Sequence, residues 1–195
     1  SDVCSSDLKA FLAQQNERLL SLHKEGRPGV DVCNQRAQVL DSILQHLLRT
    51  APEIGVPVTG KKFRFALSAI GGYGRAELNP FSDIDIMFLH DGPKTVTETH
   101  LGPLVELVLY TLWDLGLKVG HSSRTIDEAI DQANADMLSK TSLLETRLVV
   151  GDPKLFGAFR EAFIDRCVKG FESEYISQRV QNQTERHSKH GGTVY

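Results

Sequence analysis

Two β-type apolar runs, Phe63 to Ile70 and Ile84 to Leu89, are joined by Gly71-Gly72-Tyr73-Gly74-Arg75, and the second is led by Ser82-Asp83-Ile84-Asp85. No other stretch restricts the fold as much. Side chains at i and i+2 of a strand leave the same face. Asp83 and Asp85 are therefore expected to project together, while Ile84 and Ile86 enter the opposite layer. Neighbouring carboxylates repel and need a cation between them, or one must stay protonated. Hard oxygen ligands of this kind suit Mg²⁺, which takes one or two carboxylates and completes its shell with water and substrate phosphates. Glycines just upstream tolerate the turn that brings backbone N–H groups to an anion. Taken singly, Gly-Gly reads as a plain turn and Asp-x-Asp as a solvated strand start or a cap. In the order strand, Gly-Gly, Ser-Asp-x-Asp, strand, they point to phosphoryl or nucleotidyl transfer.

The rest of the chain is ordinary. Its 195 residues suffice for one domain with a buried core, and 41% hydrophobic with 24% charged residues describes a globular protein. A net charge of −3 and a pI near 6.2 argue against a nucleic-acid footprint. No run approaches the roughly eighteen apolar residues of a membrane span, and no apolar signal core opens the chain, so a cytoplasmic protein is expected. Cys4, Cys33 and Cys167 lack metal-type spacing and read as reduced thiols.

Residues 1–8 show no clear pattern and read either as a frayed tail or as non-native residues. Helices are expected from Lys9 to His23 and from an Asp31 cap to Arg49, with His46 partly buried beside the second stripe. Lys61 to Ile70 reads as the first strand, and Lys61, Lys62 and Arg64 at its head as either a solvated edge or a phosphate-facing cluster. Leu101 to Leu115 reads as an amphipathic helix that buries Trp113, and Leu117 to Ser123 as a third strand. Thr125-Ile126-Asp127-Glu128 is a capping box opening a helix to Asp136. Another helix is expected over Leu138 to Val150. A further one, capped by Asp152 with Pro153 at its first position, is expected to run to Lys169. Glu172 to His190 reads as a polar final helix short of packing partners.

The Gly71-to-Arg75 and Ser82-to-Asp85 motifs resemble the signature of polymerase-β-like nucleotidyltransferases. With Glu77-Leu78 and Phe81 before Ser82, the match is more specifically to the bacterial PII uridylyltransferase (uridylyltransferase/uridylyl-removing) family. Trp113-Asp114, Gly116-Leu117, Val119-Gly120-His121-Ser122, Arg124-Thr125, Arg186-His187 and Gly191-Gly192-Thr193 with Tyr195 extend it over most of the chain. The resemblance implies an α/β (α+β) fold with a polymerase-β-like core, a small mixed sheet backed by helices, and flanking N- and C-terminal helices. It divides the chain into a helical segment 1–51, a nucleotidyltransferase core 52–136 and a helical segment 137–195 that reads as cut within a larger enzyme. It implies Mg-dependent transfer of UMP from UTP to a tyrosine of the signal protein PII, with pyrophosphate leaving. Asp83 and Asp85 would be the catalytic, metal-holding pair. Gly71, Gly72, Ser82 and Arg75 would contact the nucleotide, with weaker parts for Arg186, Lys189 and the Gly191-Gly192 turn. The family's uridylyl-removing activity belongs to a downstream domain.

One position departs from the superfamily pattern. Where relatives place a third carboxylate on the third strand, this chain has His121 and Ser123. Glu145, Asp127 and Glu128 are the remaining candidates, each reading more naturally as a surface or capping acid. His121 is a candidate for phosphate contact or proton transfer. Because no residue visibly reads uracil, an adenylyl-transferring enzyme remains open. The missing acid likewise keeps open a nucleotide-sensing module without turnover.

Overall fold

The computed structural model describes residues 2–56, 64–93 and 97–189. Its helices are α1 (Asp2–Lys24), α2 (Gly29–Thr50), the single turn α3 (Gly71–Gly74), α4 (Gly102–Asp114), α5 (Ile126–Ala135), α6 (Met137–Leu144), α7 (Pro153–Phe163) and α8 (Glu172–Lys189). Its strands are β1 (Phe65–Ala69), β2 (Ile84–His90), β3 (Val119–Arg124) and β4 (Arg147–Gly151). They form one mixed sheet in the order β3-β2-β1-β4, with β2 parallel to β3 and β1 antiparallel to both β2 and β4. This is the α/β architecture expected.

All five residues of β1 and all of β2 except Asp85 are buried, because both faces of the sheet are covered. On one face Phe65, Leu67, Ile84, Ile86 and Phe88 pack against Leu40, Ile43, Leu44 and Leu47 of α2 and Leu104, Val108 and Leu112 of α4. On the other, Ala66, Met87 and Leu89 meet Ile130 of α5, Leu143 of α6 and Leu155, Phe159 and Phe163 of α7. Alternation along β2 therefore sorts its residues into two cores, and Asp85 falls on the face of Met87 and Leu89.

The caps follow local chemistry. Thr125 and Glu128 form the capping box of α5. Asp152 accepts from the N–H groups of Lys154 and Leu155, with Pro153 inside the first turn of α7. Arg64 pairs with Asp91 across the outer end of the β1–β2 hairpin at 2.7 Å.

Several expectations are corrected. Residues 2–8 do not fray but form the first turns of α1, with Leu8 buried against the sheet's helical cover. α2 begins at Gly29 after Pro28, leaving Asp31 inside its first turn. The helix expected over 138–150 is two elements, α6 and then β4. The β-branched pair Val149-Val150 lies in β4, which pairs with β1, and tertiary pairing overrides the helical reading of Leu143-Leu144. The helix after Asp152 closes as an α-helix at Phe163 and continues through a wider turn, Ile164–Val168. Trp113 is not core: it is half-exposed and stacks edge-on against Tyr110. α8 does have partners at its start, where Tyr175 shares a hydrogen bond with Thr141 at 3.1 Å and Lys140 sits over the Phe171 ring. Beyond them Ile176 and Val180 are exposed. Lys61, Lys62 and Gly191-Gly192 lie outside the described residues, as do the side chains of Arg186 and Lys189.

Candidate functional site

β1 delivers the chain to Ile70, still extended, and Gly71 then turns it with a left-handed φ of +58° into the helical turn α3. A side chain at that dihedral is disfavoured, which is the local reason for glycine. The Ile70 N–H donates to the Asp85 carbonyl at 3.0 Å, so the elbow is tied to β2 beside its carboxylate-bearing residue. The first N–H groups of a helical turn have no acceptor inside it, so Gly71 and Gly72 hold donors ready for an anion.

A Cβ placed on Gly71 would lie 3.9 Å from Ser142 Oγ and 4.0 Å from Asp85 Oδ2. The elbow, the carboxylate and a hydroxyl from α6 thus converge on one spot. Across the sheet, Gly120 pairs with Asp85, and a Cβ there would stand 2.4 Å from Asp85 Oδ1. The missing side chain on β3 is what gives this carboxylate its room. Asp83, exposed just ahead of β2, is near enough for its charge to be felt. Burial first, and the Asp83 carboxylate second, hold Asp85 above the usual carboxylate range. Such a pair, short of countercharge, suits a hard divalent cation whose remaining ligands are water and phosphate oxygen.

The sheet register bears directly on the third acid. His121 and Ser123 pair with Ile86 and Phe88, so they lie on the face opposite Asp85. Gly120, Ser122 and Arg124 share the Asp85 face, and none is acidic. The other candidates are committed elsewhere. Glu145 pairs with Arg75, Asp127 with Arg166 at 2.5 Å, and Glu128 accepts from the Thr125 N–H at 2.7 Å. Among the described residues no group of three or more His, Cys, Asp and Glu side chains is placed to hold a metal.

Ser82 stands in the exposed turn before Asp83, its N–H donating to the Asn79 carbonyl at 3.2 Å. Arg75 is bridged between Glu77, at 2.9 Å, and Glu145, with one guanidinium nitrogen 3.8 Å from where a Gly72 Cβ would stand. It reaches the elbow, but with its charge already shared by two acids.

The sequence reading missed the support behind the elbow. Tyr73, 1% exposed, donates its hydroxyl to Asp41 Oδ1 at 2.7 Å. Arg147 grips the same carboxylate through both terminal nitrogens at 2.7 and 3.0 Å, and its guanidinium faces the Tyr73 ring. One ion-paired knot therefore joins α2, α3 and β4. Gly74 seals the contact with α6: a Cβ there would come 2.0 Å from the Glu145 carbonyl oxygen. The available signal was Asp41, an acid directly beside buried Leu40 in a core-facing helix. Ser142 carried no signal, because the helix that presents it could not be oriented from sequence.

No family model matches the chain. Curated relatives do, and each is named bifunctional uridylyltransferase/uridylyl-removing enzyme. The protein from Phenylobacterium zucineum is 45% identical over 132 residues, covering 68% of this chain and 14% of the relative. That from Novosphingobium aromaticivorans is 37% identical over 182 residues, covering 90% and 19%. That from Rhodopseudomonas palustris is 35% identical over 190 residues, covering 96% and 20%. The chain therefore spans a fifth or less of the length of the relatives it matches.

Proposed function

We propose that this chain is the nucleotidyl-transferring part of an enzyme of the kind its relatives are named for. It would move UMP from UTP to a tyrosine of the signal protein PII, releasing pyrophosphate, in the cytoplasm. The observation that carries the reading is Asp85: a partly desolvated carboxylate, pressed by Asp83, at the point where the Gly71 elbow and Ser142 meet. Names of homologues covering up to 96% of the chain support the uridylyl chemistry.

Asp83 and Asp85 would hold Mg²⁺, which when bound supplies charge neutralisation along the triphosphate and its leaving group. The N–H groups of Gly71 and Gly72 would bind the outer phosphates, preorganised because the Asp41–Tyr73–Arg147 knot fixes the turn from behind. Ser142 and Ser82 would donate hydroxyls to phosphate oxygens from either side. Arg75 would supply positive potential weakened by Glu77 and Glu145. Aligning the α-phosphorus with the incoming phenol is the largest contribution such a site can make, since the chemistry needs position and charge more than covalent help.

A non-catalytic nucleotide sensor is the second reading, favoured by the absence of an acid on the β3 face shared with Asp85. An enzyme transferring AMP is the third outcome of the same test. The chain is incubated with Mg²⁺ and α-labelled UTP or ATP, with and without PII. Label from UTP on PII, lost in Asp83→Asn, is the expected result. Label from ATP alone reassigns the nucleotide, and binding without label in any arm overturns the enzymatic reading.

A further inference from the structure

A cavity lies beside the loop that follows the elbow. It measures about 860 Å³ and opens between α1, α2, the loop from Arg75 to Phe81 and the turn at Leu115–Leu117. That volume lies within the range of small-molecule sites. Its walls are mainly apolar, with Leu12 and Leu19 of α1, Val32 of α2 and Leu117 among them. Set into this lining is Arg36, only 9% exposed. A buried guanidinium is ordinarily matched by a carboxylate. Among the described residues Arg36 has none: its hydrogen bond is to Asn16 Oδ1 at 3.0 Å, through Nη1. Its Nε is buried with no partner among the described residues. Burial lowers its pKa, and its charge interaction is with Cys33 rather than an acid. Glu77, the acid in the cavity lining, offers no relief, because it is engaged with Arg75.

We infer that this cavity is a binding site for a small amphipathic carboxylate, its acid group pairing with Arg36 and its hydrocarbon body lying against Leu12, Leu19, Val32 and Leu117. Charge complementarity selects the acid group. A carboxylate seated beside Arg36 would supply the countercharge that the neutral Asn16 amide does not. The depth of apolar wall selects the body, since a bare inorganic anion would leave most of the cavity unfilled. The inference does not rest on the nucleotidyl-transfer reading: Arg75 borders both places, but the pairing group Arg36 and the apolar wall are separate from the residues assigned to phosphate or metal.

Thermal unfolding of the 195-residue chain tests it, using hexanoate, its uncharged isostere hexanamide, and sulfate as probes. Hexanoate is expected to raise Tm saturably by about 3–6 °C, with hexanamide and sulfate giving no comparable rise. Arg36→Met, which keeps the bulk and removes the charge, is expected to abolish the hexanoate shift. That variant is expected to fold, since it relieves an uncompensated buried charge. Leu117→Trp, which fills the cavity while keeping Arg36, is expected to abolish the shift as well. A shift equal for hexanamide or sulfate, retained in Arg36→Met, or absent from the unaltered chain, overturns the assignment.

Discussion

Asp85 occupies the one open position of a strand whose other residues are all buried. Its carboxyl group sits above its unfolded-state pKa, because burial and Asp83 both disfavour the anion. The stability this group contributes is then fully present below the unfolded pKa and lost as pH rises through the folded one. At neutral pH the carboxylate is a cost to folding. Asp85→Asn should therefore melt higher than the unaltered chain at pH 7. The difference should shrink to nothing as pH falls below about 4. Transfer activity should meanwhile drop by more than about a hundredfold. Calorimetry across pH, paired with a labelling assay, checks both halves. Gly120→Ala makes a sharper prediction: the new Cβ would meet Asp85 Oδ1 at 2.4 Å, and the side chain is free to swing away. The fold should survive with a small change in Tm, while the proposed Mg²⁺-dependent transfer should fall at least about tenfold.

At the scale of elements, local chemistry was legible wherever a cap or a turn spoke for itself. The α5 capping box and the Asp152-Pro153 start of α7 follow from side chains that satisfy their own helix ends. Asp152→Ala should cost about 1 kcal/mol, read as a lower urea midpoint with an unchanged slope. The Gly71 elbow was legible for the same reason, since its dihedral demands glycine. What could not be read was β4. Its residues Arg147 to Gly151 follow a helical stretch without a break, and their strand state depends on β1, far away along the chain. The face of β3 was equally hidden. Only the register with β2 shows that Gly120, not His121, stands beside Asp85. Short-range patterns marked β3 as a strand but hid its face, and for β4 long-range pairing with β1 decided even the strand itself.

For the molecule as a whole, the knot of Asp41, Tyr73 and Arg147 binds one end of the sheet to α2. Arg147→Met would leave Asp41, largely shielded from solvent, with the Tyr73 hydroxyl alone. The cost should be about 1–3 kcal/mol. Hydrogen exchange should rise at Gly71 to Gly74 beyond what that loss of global stability explains, because the elbow loses its rear support. Uniform exchange across the sheet would show that the knot stabilises without positioning. Site residues near one another in sequence, such as Asp83 and Asp85, were visible from the start. Those gathered by the fold, such as Ser142 and Arg147, became visible only when the layers were assembled.

The late strand β4 sets a lower limit on any working miniature. A version stopped at Ala135 would retain every glycine and aspartate of the motif, yet leave β1 with a bare edge and Asp41 without its arginine. Shortened forms should thus lose solubility abruptly, rather than by degrees, once the cut passes upstream of Gly151.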